Sequence, residues 1–110
     1  MTSCLVLAAF PPELEALPAG WSKSVVGVGL VEAGMGAARA LREAGVPRPA
    51  ILVGTCGAYP EAKLPIGTVV VGTRTRLGDP AAALGRGALV ASTGGVIDLD
   101  PPLRDRLVAA

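Results

Sequence analysis

Apolar residues occur along this chain in short runs that glycine, proline and polar residues separate. Residues 3–9 are apolar almost throughout, which is typical of a strand buried on both faces of a sheet. Residues 24–28 and 50–54 predict two further strands. Residues 67–76 predict a fourth and longer strand, in which threonine and arginine alternate near the far end, so that this end is expected to leave the core.

A helix is predicted over residues 30–44, between the second and third strands. Four apolar residues recur on one face of this helix at helical spacing, namely Val31, Met35, Ala38 and Leu41. Gly34 and Gly36 each cost up to about 1 kcal/mol relative to alanine inside a helix. Their presence therefore favours close packing against a sheet. Gly45 and Pro47 are expected to end the helix.

Prolines mark the starts of two shorter helices. Pro11 and Pro12 suit a first helical turn, where a missing amide costs little, and Glu13 would then lie near the positive end of the helix. Asp100 precedes two prolines in the manner of an N-cap before a terminal helix.

Residues 88–92 predict a short strand. The early alternation of strands and helices predicts an α/β protein with a layered, mostly parallel sheet flanked by helices.

The composition narrows the class of protein further. A length of 110 residues predicts one domain, 1–110. Hydrophobic residues make up 51% of the chain and aromatic residues 3%, so the core is expected to consist of valine, leucine, isoleucine and alanine. The net charge of +1, without a basic run, predicts no nucleic-acid partner. No apolar run reaches the length of a membrane span, so no membrane partner is expected.

Cysteine and histidine usage limits the available chemistry. Cys4 and Cys56 are the two cysteines, and each falls in a strand-like apolar setting, which predicts reduced, buried thiols in a cytoplasmic protein. The apolar start is short and lacks a preceding basic residue, so we expect a strand there and no signal peptide. The absence of histidine excludes Ser-His-Asp and Cys-His catalytic systems within this chain. We expect no metal and no cofactor.

Residues 51–71, ILVGTCGAYPEAKLPIGTVVV, contain the most informative pattern in the chain. An apolar run ends in Gly54-Thr55-Cys56-Gly57, and a second β-branched run follows after a turn-rich segment. Glycine lets a backbone approach a ligand closely, and the amides of such a turn are free to donate hydrogen bonds. The pattern is typical of a ligand cradle at the end of a strand.

This segment resembles the nucleoside phosphorylase/nucleosidase superfamily, in which a strand ends in a G-S/T-x-G turn. Three further segments resemble that family in the same order: AAFPPELE at residues 8–15, GVGLVEA at 27–33 and RLGD at 76–79. The strings GAYP, LPIG and GDPAA are similar to the futalosine hydrolase branch. The resemblance covers residues 3–80 and implies the first half of an incomplete phosphorylase/hydrolase-like fold.

The resemblance implies hydrolysis of the N-glycosidic bond of a purine-type nucleoside. Glu13 stands where the family has the carboxylate that activates water, although an acidic residue that only stabilises a helix start, as Glu15 could also do, is the alternative. Ala9, Thr55, Cys56 and Gly57 match the positions that line the substrate pocket. The alternative for the latter three is an ordinary tight turn. A nucleophilic role for Cys56 is not expected, because no activating group adjoins it.

Two departures from the family pattern affect the expected reaction. Family phosphorylases carry an arginine two positions before the glycine turn to bind phosphate, whereas this chain has Leu52, which favours water over phosphate. No segment matches the family's ribose-binding Met-Glu pair or its general acid. Three readings therefore stay open: an active hydrolase, half of a split enzyme, and a non-catalytic module that binds a nucleoside or base.

Two other expectations follow from the pattern. Gly27-x-Gly29 before a helix suggests a dinucleotide-binding unit, but the third glycine of that motif is missing, since Glu32 stands in its place. A sheet of this length would keep an apolar edge that the full family covers. An uncovered edge favours self-association, so we expect a homodimer or a higher homo-oligomer.

Overall fold

The computed structural model describes residues 4–45, 48–76, 84–87 and 96–110. The chain divides into two units, Met1–Lys63 and Leu64–Ala110, which are described in turn. The strand predicted over 88–92 and the RLGD segment after Arg76 lie outside the described residues.

A three-stranded parallel sheet forms the centre of the first unit, with the order β2-β1-β3. Strand β1 is Leu5–Ala8, β2 is Lys23–Val25 and β3 is Ala50–Val53. All four residues of β1 are buried, because β1 is the central strand and both of its faces are covered. The sequence prediction of an α/β protein with a parallel sheet is confirmed for this unit.

Helix α1, Leu30–Ala44, has the bounds that the sequence predicts. Glycines with positive φ flank it on both sides, Gly29 at 88° and Gly45 at 82°. The helix packs on one face of the sheet against Leu5, Leu7 and Val26. Its own contribution to this contact consists of small side chains: Ala33, Gly36, Ala37, Ala40 and Ala44.

The face of α1 that the apolar spacing singles out points away from the sheet. Val31 and Met35 are 75% and 71% exposed. The reason is the close approach of the helix, since a Cβ at Gly36 would overlap the carbonyl oxygen of Val26. Of the two glycines predicted to pack on the sheet, Gly36 does so, whereas Gly34 has open space where its Cβ would lie.

A 3₁₀ helix, Pro11–Leu14, covers the opposite face of the sheet. Its buried Leu14 packs against Val6 and Ala8 of β1. The Lys23 ammonium donates hydrogen bonds to the carbonyl oxygens of Leu14 at 3.3 Å and Leu17 at 3.2 Å. The Leu14 carbonyl also accepts from the amide of Leu17, so Lys23 adds a second donor to the end of this turn.

The prediction of a second strand over 24–28 is wrong at its end, because β2 ends at Val25. The amides of Val26 and Gly27 still donate to the carbonyl oxygens of Ala8 and Ala9, but Gly27 has a φ of 103° and turns the chain out of the sheet.

The second unit contains an antiparallel pair of strands and a helix. Strand β4, Arg74–Arg76, pairs with β5, Val96–Asp98, and helix α2, Pro101–Ala109, follows directly. An exposed ion pair joins Arg74 Nε to Asp98 Oδ1 at 2.6 Å. Asp100 is the N-cap residue of α2, as the sequence predicts, although its side chain forms no capping hydrogen bond.

The predicted long strand over 67–76 is wrong for residues 67–73. Gly67 has a φ of 90°, and both the amide and the hydroxyl of Thr68 donate to the carbonyl oxygen of Pro65, which makes a turn. Val69 and Val70 are exposed. A β-branched run has a preference for strands, but the ladder requires a neighbour, and the described pairing of β4 begins at Arg74.

No helix within the described residues is both long enough and apolar enough to cross a membrane.

The contact of Gly36 with the sheet predicts a difference between two glycines of the same helix. Gly36→Ala should lower the free energy of unfolding by about 2 kcal/mol or more, because the added methyl meets backbone that cannot move aside. Gly34→Ala should raise it by up to about 1 kcal/mol, because alanine favours the helix. Urea unfolding followed by circular dichroism at high dilution measures both, and equal effects would contradict this packing.

Candidate functional site

The carboxyl ends of β1 and β3 lie side by side, because these strands are parallel and in register from Leu5↔Ala50 to Ala8↔Val53. The 3₁₀ helix that follows β1 places Glu13 beside both ends. In α/β sheets, the carboxyl ends of parallel strands are the usual position of ligand sites. This edge of the first unit is therefore the candidate site.

Three backbone amides donate hydrogen bonds to the Glu13 carboxylate. Oε2 accepts from Ala9 N at 3.1 Å and from Phe10 N at 3.3 Å, and Oε1 accepts from Thr55 N at 3.2 Å. The last bond joins residues 42 positions apart in the sequence. The carboxylate thus connects the chain that leaves β1 with the chain that leaves β3.

The local sequence explains why these amides are free to bind a carboxylate. Ala9 and Phe10 follow the end of β1, and the next two residues are prolines without an amide hydrogen. Glu13 is at the third position of the 3₁₀ helix, from which its side chain reaches back to the amide of the N-cap residue Phe10. Glu13 therefore stabilises the start of the 3₁₀ helix, which is the role that the sequence left open as an alternative.

Gly54 allows Glu13 to approach the end of β3. A Cβ at residue 54 would lie 3.2 Å from Glu13 Oε1, which is tighter than ordinary van der Waals contact. The resemblance assigns no role to Gly54 or to the Phe10 amide. Two signals indicate them: Gly54 is the first glycine of the turn, and Phe10 is the residue three positions before Glu13, as in a capping box.

The structure brings together three of the predicted site residues, Ala9, Glu13 and Thr55. Cys56 and Gly57 follow in an exposed, irregular segment, and the described hydrogen bonds include none from either residue to Glu13. The expectation that Cys56 is buried is wrong, because β3 ends at Val53 and no described layer covers the residues beyond it. Cys4 is partly buried.

Glu13 and Glu15 differ in their surroundings. Glu13 is partly buried and has both carboxylate oxygens in hydrogen bonds, whereas Glu15 is exposed. A carboxylate has about four acceptor positions, so three amides leave one for a water or a ligand hydroxyl. Chemically, Glu13 can hold two strand ends in place and accept one further hydrogen bond.

The surroundings of Glu13 form an open edge. Two grooves of about 400 and 610 Å³ flank α1, and neither is lined by Glu13 or Thr55. Small-molecule sites usually bury most of their ligand. These two grooves therefore add no lining to the candidate site at Glu13.

The glycine turn between β2 and α1 does not suit a phosphate. Gly27 and Gly29 both have positive φ, as a tight turn requires. However, Glu32 lies over this turn, and its Oε2 would be 3.2 Å from a Cβ at Gly27. A carboxylate at the start of α1 repels the anion that a dinucleotide unit must bind there, which disfavours that alternative.

No cluster of three or more metal-ligating side chains is found within the described ranges, 4–45, 48–76, 84–87 and 96–110.

Comparison of the chain with protein-family models, with curated proteins and with solved structures found no match. The functional interpretation therefore depends on the residues and on their geometry.

The hydrogen bonds of Glu13 predict a stability effect that its neighbour lacks. Glu13→Gln keeps the size of the side chain but turns an amide group with one acceptor oxygen toward three donors, so it should lower the free energy of unfolding by about 1–3 kcal/mol. Glu15→Gln, on the exposed surface, should change it by less than about 0.5 kcal/mol. Urea unfolding of both variants checks this, and equal values would show that the carboxylate contributes nothing.

Proposed function

We propose that this protein is nucleosidase-like and hydrolyses the N-glycosidic bond of a purine-type nucleoside, with Glu13 as the group that activates water. The observation that carries the proposal is the hydrogen bond between the Glu13 carboxylate and the amide of Thr55. Two residues that resemble the water-activating glutamate and the G-S/T-x-G turn of the nucleosidases are thereby adjacent at the carboxyl edge of a parallel sheet. A phosphorylase-like fold is part of the same proposal.

The proposed reaction is a displacement at the anomeric carbon of the ribose. The water oxygen forms a bond to C1′, the bond from C1′ to the base nitrogen breaks, and its electron pair leaves with the base. The proton of the water passes to Glu13, through the acceptor position that the three amides leave free. The departing base takes up a proton from solvent, and the protonated Glu13 releases its proton to solvent, which restores the carboxylate.

Water is the proposed co-substrate because no arginine stands at the position where family phosphorylases bind phosphate. Leu52 is 71% exposed at the position where family phosphorylases carry an arginine. The family's general acid also has no counterpart in the sequence. Since a general acid contributes about 10²- to 10⁴-fold to rate, we expect slow turnover unless a partner supplies one.

A second candidate is a module that binds a nucleoside or a purine base without cleaving it. The occupation of both Glu13 oxygens by backbone amides favours it, because these bonds compete with water for the carboxylate. In this case the carboxylate would only hold the ends of β1 and β3 together, and the free amides of the glycine turn would contact the base.

An assay for free base separates the two candidates. The folded chain is incubated with futalosine, methylthioadenosine and inosine, each with and without phosphate, and base release is measured together with binding by equilibrium dialysis. Hydrolysis that phosphate does not accelerate, and that Glu13→Gln lowers by about 100-fold or more, is the expected result. Glu15→Gln is the control and should retain full activity, because its carboxylate is exposed and outside the site.

Binding of a base or nucleoside without release of base would support the non-catalytic module. Neither binding nor release with any of the three compounds would contradict both candidates. Release that Glu13→Gln does not affect, at a temperature where circular dichroism shows the variant to be folded, would remove Glu13 from the mechanism.

A further inference from the structure

The outer face of α1, defined by Val31, Gly34, Met35, Ala38 and Leu41, is an exposed surface that takes no part in the contact between α1 and the sheet. Val31 and Met35 are 75% and 71% exposed, and Leu41 is 45% exposed. The opposite face of α1 already forms the contact with the sheet. Exposed apolar side chains that share one face of a helix favour an interaction surface, and here Arg42, four residues after Ala38, borders this face at its C-terminal end.

Gly34 provides an independent indication that another chain covers this face. Gly36, two residues further, is required by the backbone of Val26, but a Cβ at Gly34 would meet nothing within 4 Å. A glycine inside a helix costs about 1 kcal/mol relative to alanine. Nothing within the described residues of one chain accounts for this cost, whereas close approach of a second helix does.

The charges beside the outer face are arranged for a second copy of the same helix. Glu32 lies in the first turn of α1, and Arg39 lies seven residues later on the same flank, about 10 Å along the axis. In a parallel pair related by a two-fold axis along the helices, the flank with Glu32 and Arg39 lies on opposite sides of the interface in the two copies, so these charges do not pair across it. In an antiparallel pair related by a two-fold axis, Glu32 faces the partner's Arg39, and the helix dipoles also oppose one another favourably.

One register satisfies all the contacts together. When Val31 lies opposite the partner's Leu41, Gly34 lies opposite the partner's Ala38. The same register places Met35 next to the two-fold axis, beside the partner's Met35. Glu32 then lies within one residue of the position opposite the partner's Arg39. Gly34 and Ala38 are small, so the two backbones can approach closely at the centre.

We propose that the protein forms a two-fold symmetric dimer in which the outer face of α1 packs antiparallel against the same face of a second copy. This surface is distinct from the edge of the sheet, from which self-association was expected on the sequence alone. The proposal is also independent of the chemistry of Glu13, which lies beyond the opposite face of the sheet in the 3₁₀ helix.

Sedimentation equilibrium of the full chain over a range of concentrations at low salt tests the dimer. Met35→Glu places two carboxylates next to the two-fold axis and should raise the dimer dissociation constant at least about tenfold. Leu52→Glu is the matched control, because Leu52 is equally exposed at 71% but belongs to β3, and it should leave the constant unchanged. Circular dichroism verifies that both variants are folded.

A charge exchange tests the register and the antiparallel orientation. Glu32→Arg and Arg39→Glu should each weaken the dimer, by about tenfold because every pair occurs twice, and the double variant should restore the original constant. Glu43→Arg makes the same charge change as Glu32→Arg outside the proposed pairs and is the control.

Three results would overturn the proposal: a monomer at about 100 μM wild-type chain, where a dimer should predominate; a dimer that Met35→Glu leaves intact and Leu52→Glu dissociates; or failure of the double charge exchange to restore association that both single variants weaken.

Discussion

The arrangement of the candidate site depends on one carboxylate that accepts three backbone hydrogen bonds. Without Glu13, the amides of Ala9, Phe10 and Thr55 would have to find water at the end of a sheet, and the chains leaving β1 and β3 would have no direct connection there. Hydrogen bonds to an ionised acceptor are stronger than those between neutral groups. The bond to Thr55 is also non-local, so it fixes the glycine turn relative to the rest of the sheet.

The same interaction connects structure with the proposed chemistry, and it limits that chemistry. A carboxylate held by three amides is well oriented, which a water-activating group requires. Those amides also occupy most of its acceptor positions, so a single direction remains for water. Hydrolysis requires that the remaining acceptor position of Glu13 faces the sugar. Binding without cleavage requires only the exposed amides of the turn beyond Val53.

How far the sequence predicted this structure varies from element to element. The predicted bounds of α1 were correct because glycine stands at both ends of the helix. The prediction of a buried strand at β1 was correct because a central parallel strand is apolar on both faces. The spacing of the large apolar residues of α1 does not mark the face that contacts the sheet, because alanine residues and Gly36 make that contact. The prediction of a strand over residues 67–73 was wrong because β-branched side chains favour a strand but cannot supply the neighbouring strand with which it must pair.

The site followed from the sequence only through the resemblance, which placed Glu13 and the turn at Thr55 together. The spacing of apolar residues along the chain gives no indication of a contact between residues that are 42 positions apart. The most direct test of that contact is amide hydrogen exchange measured by NMR in the wild type and in Glu13→Gln. We expect the Thr55 amide, although it lies in an exposed segment, to be protected in the wild type and to exchange at least about tenfold faster in the variant. Equal, fast exchange in both proteins would contradict it.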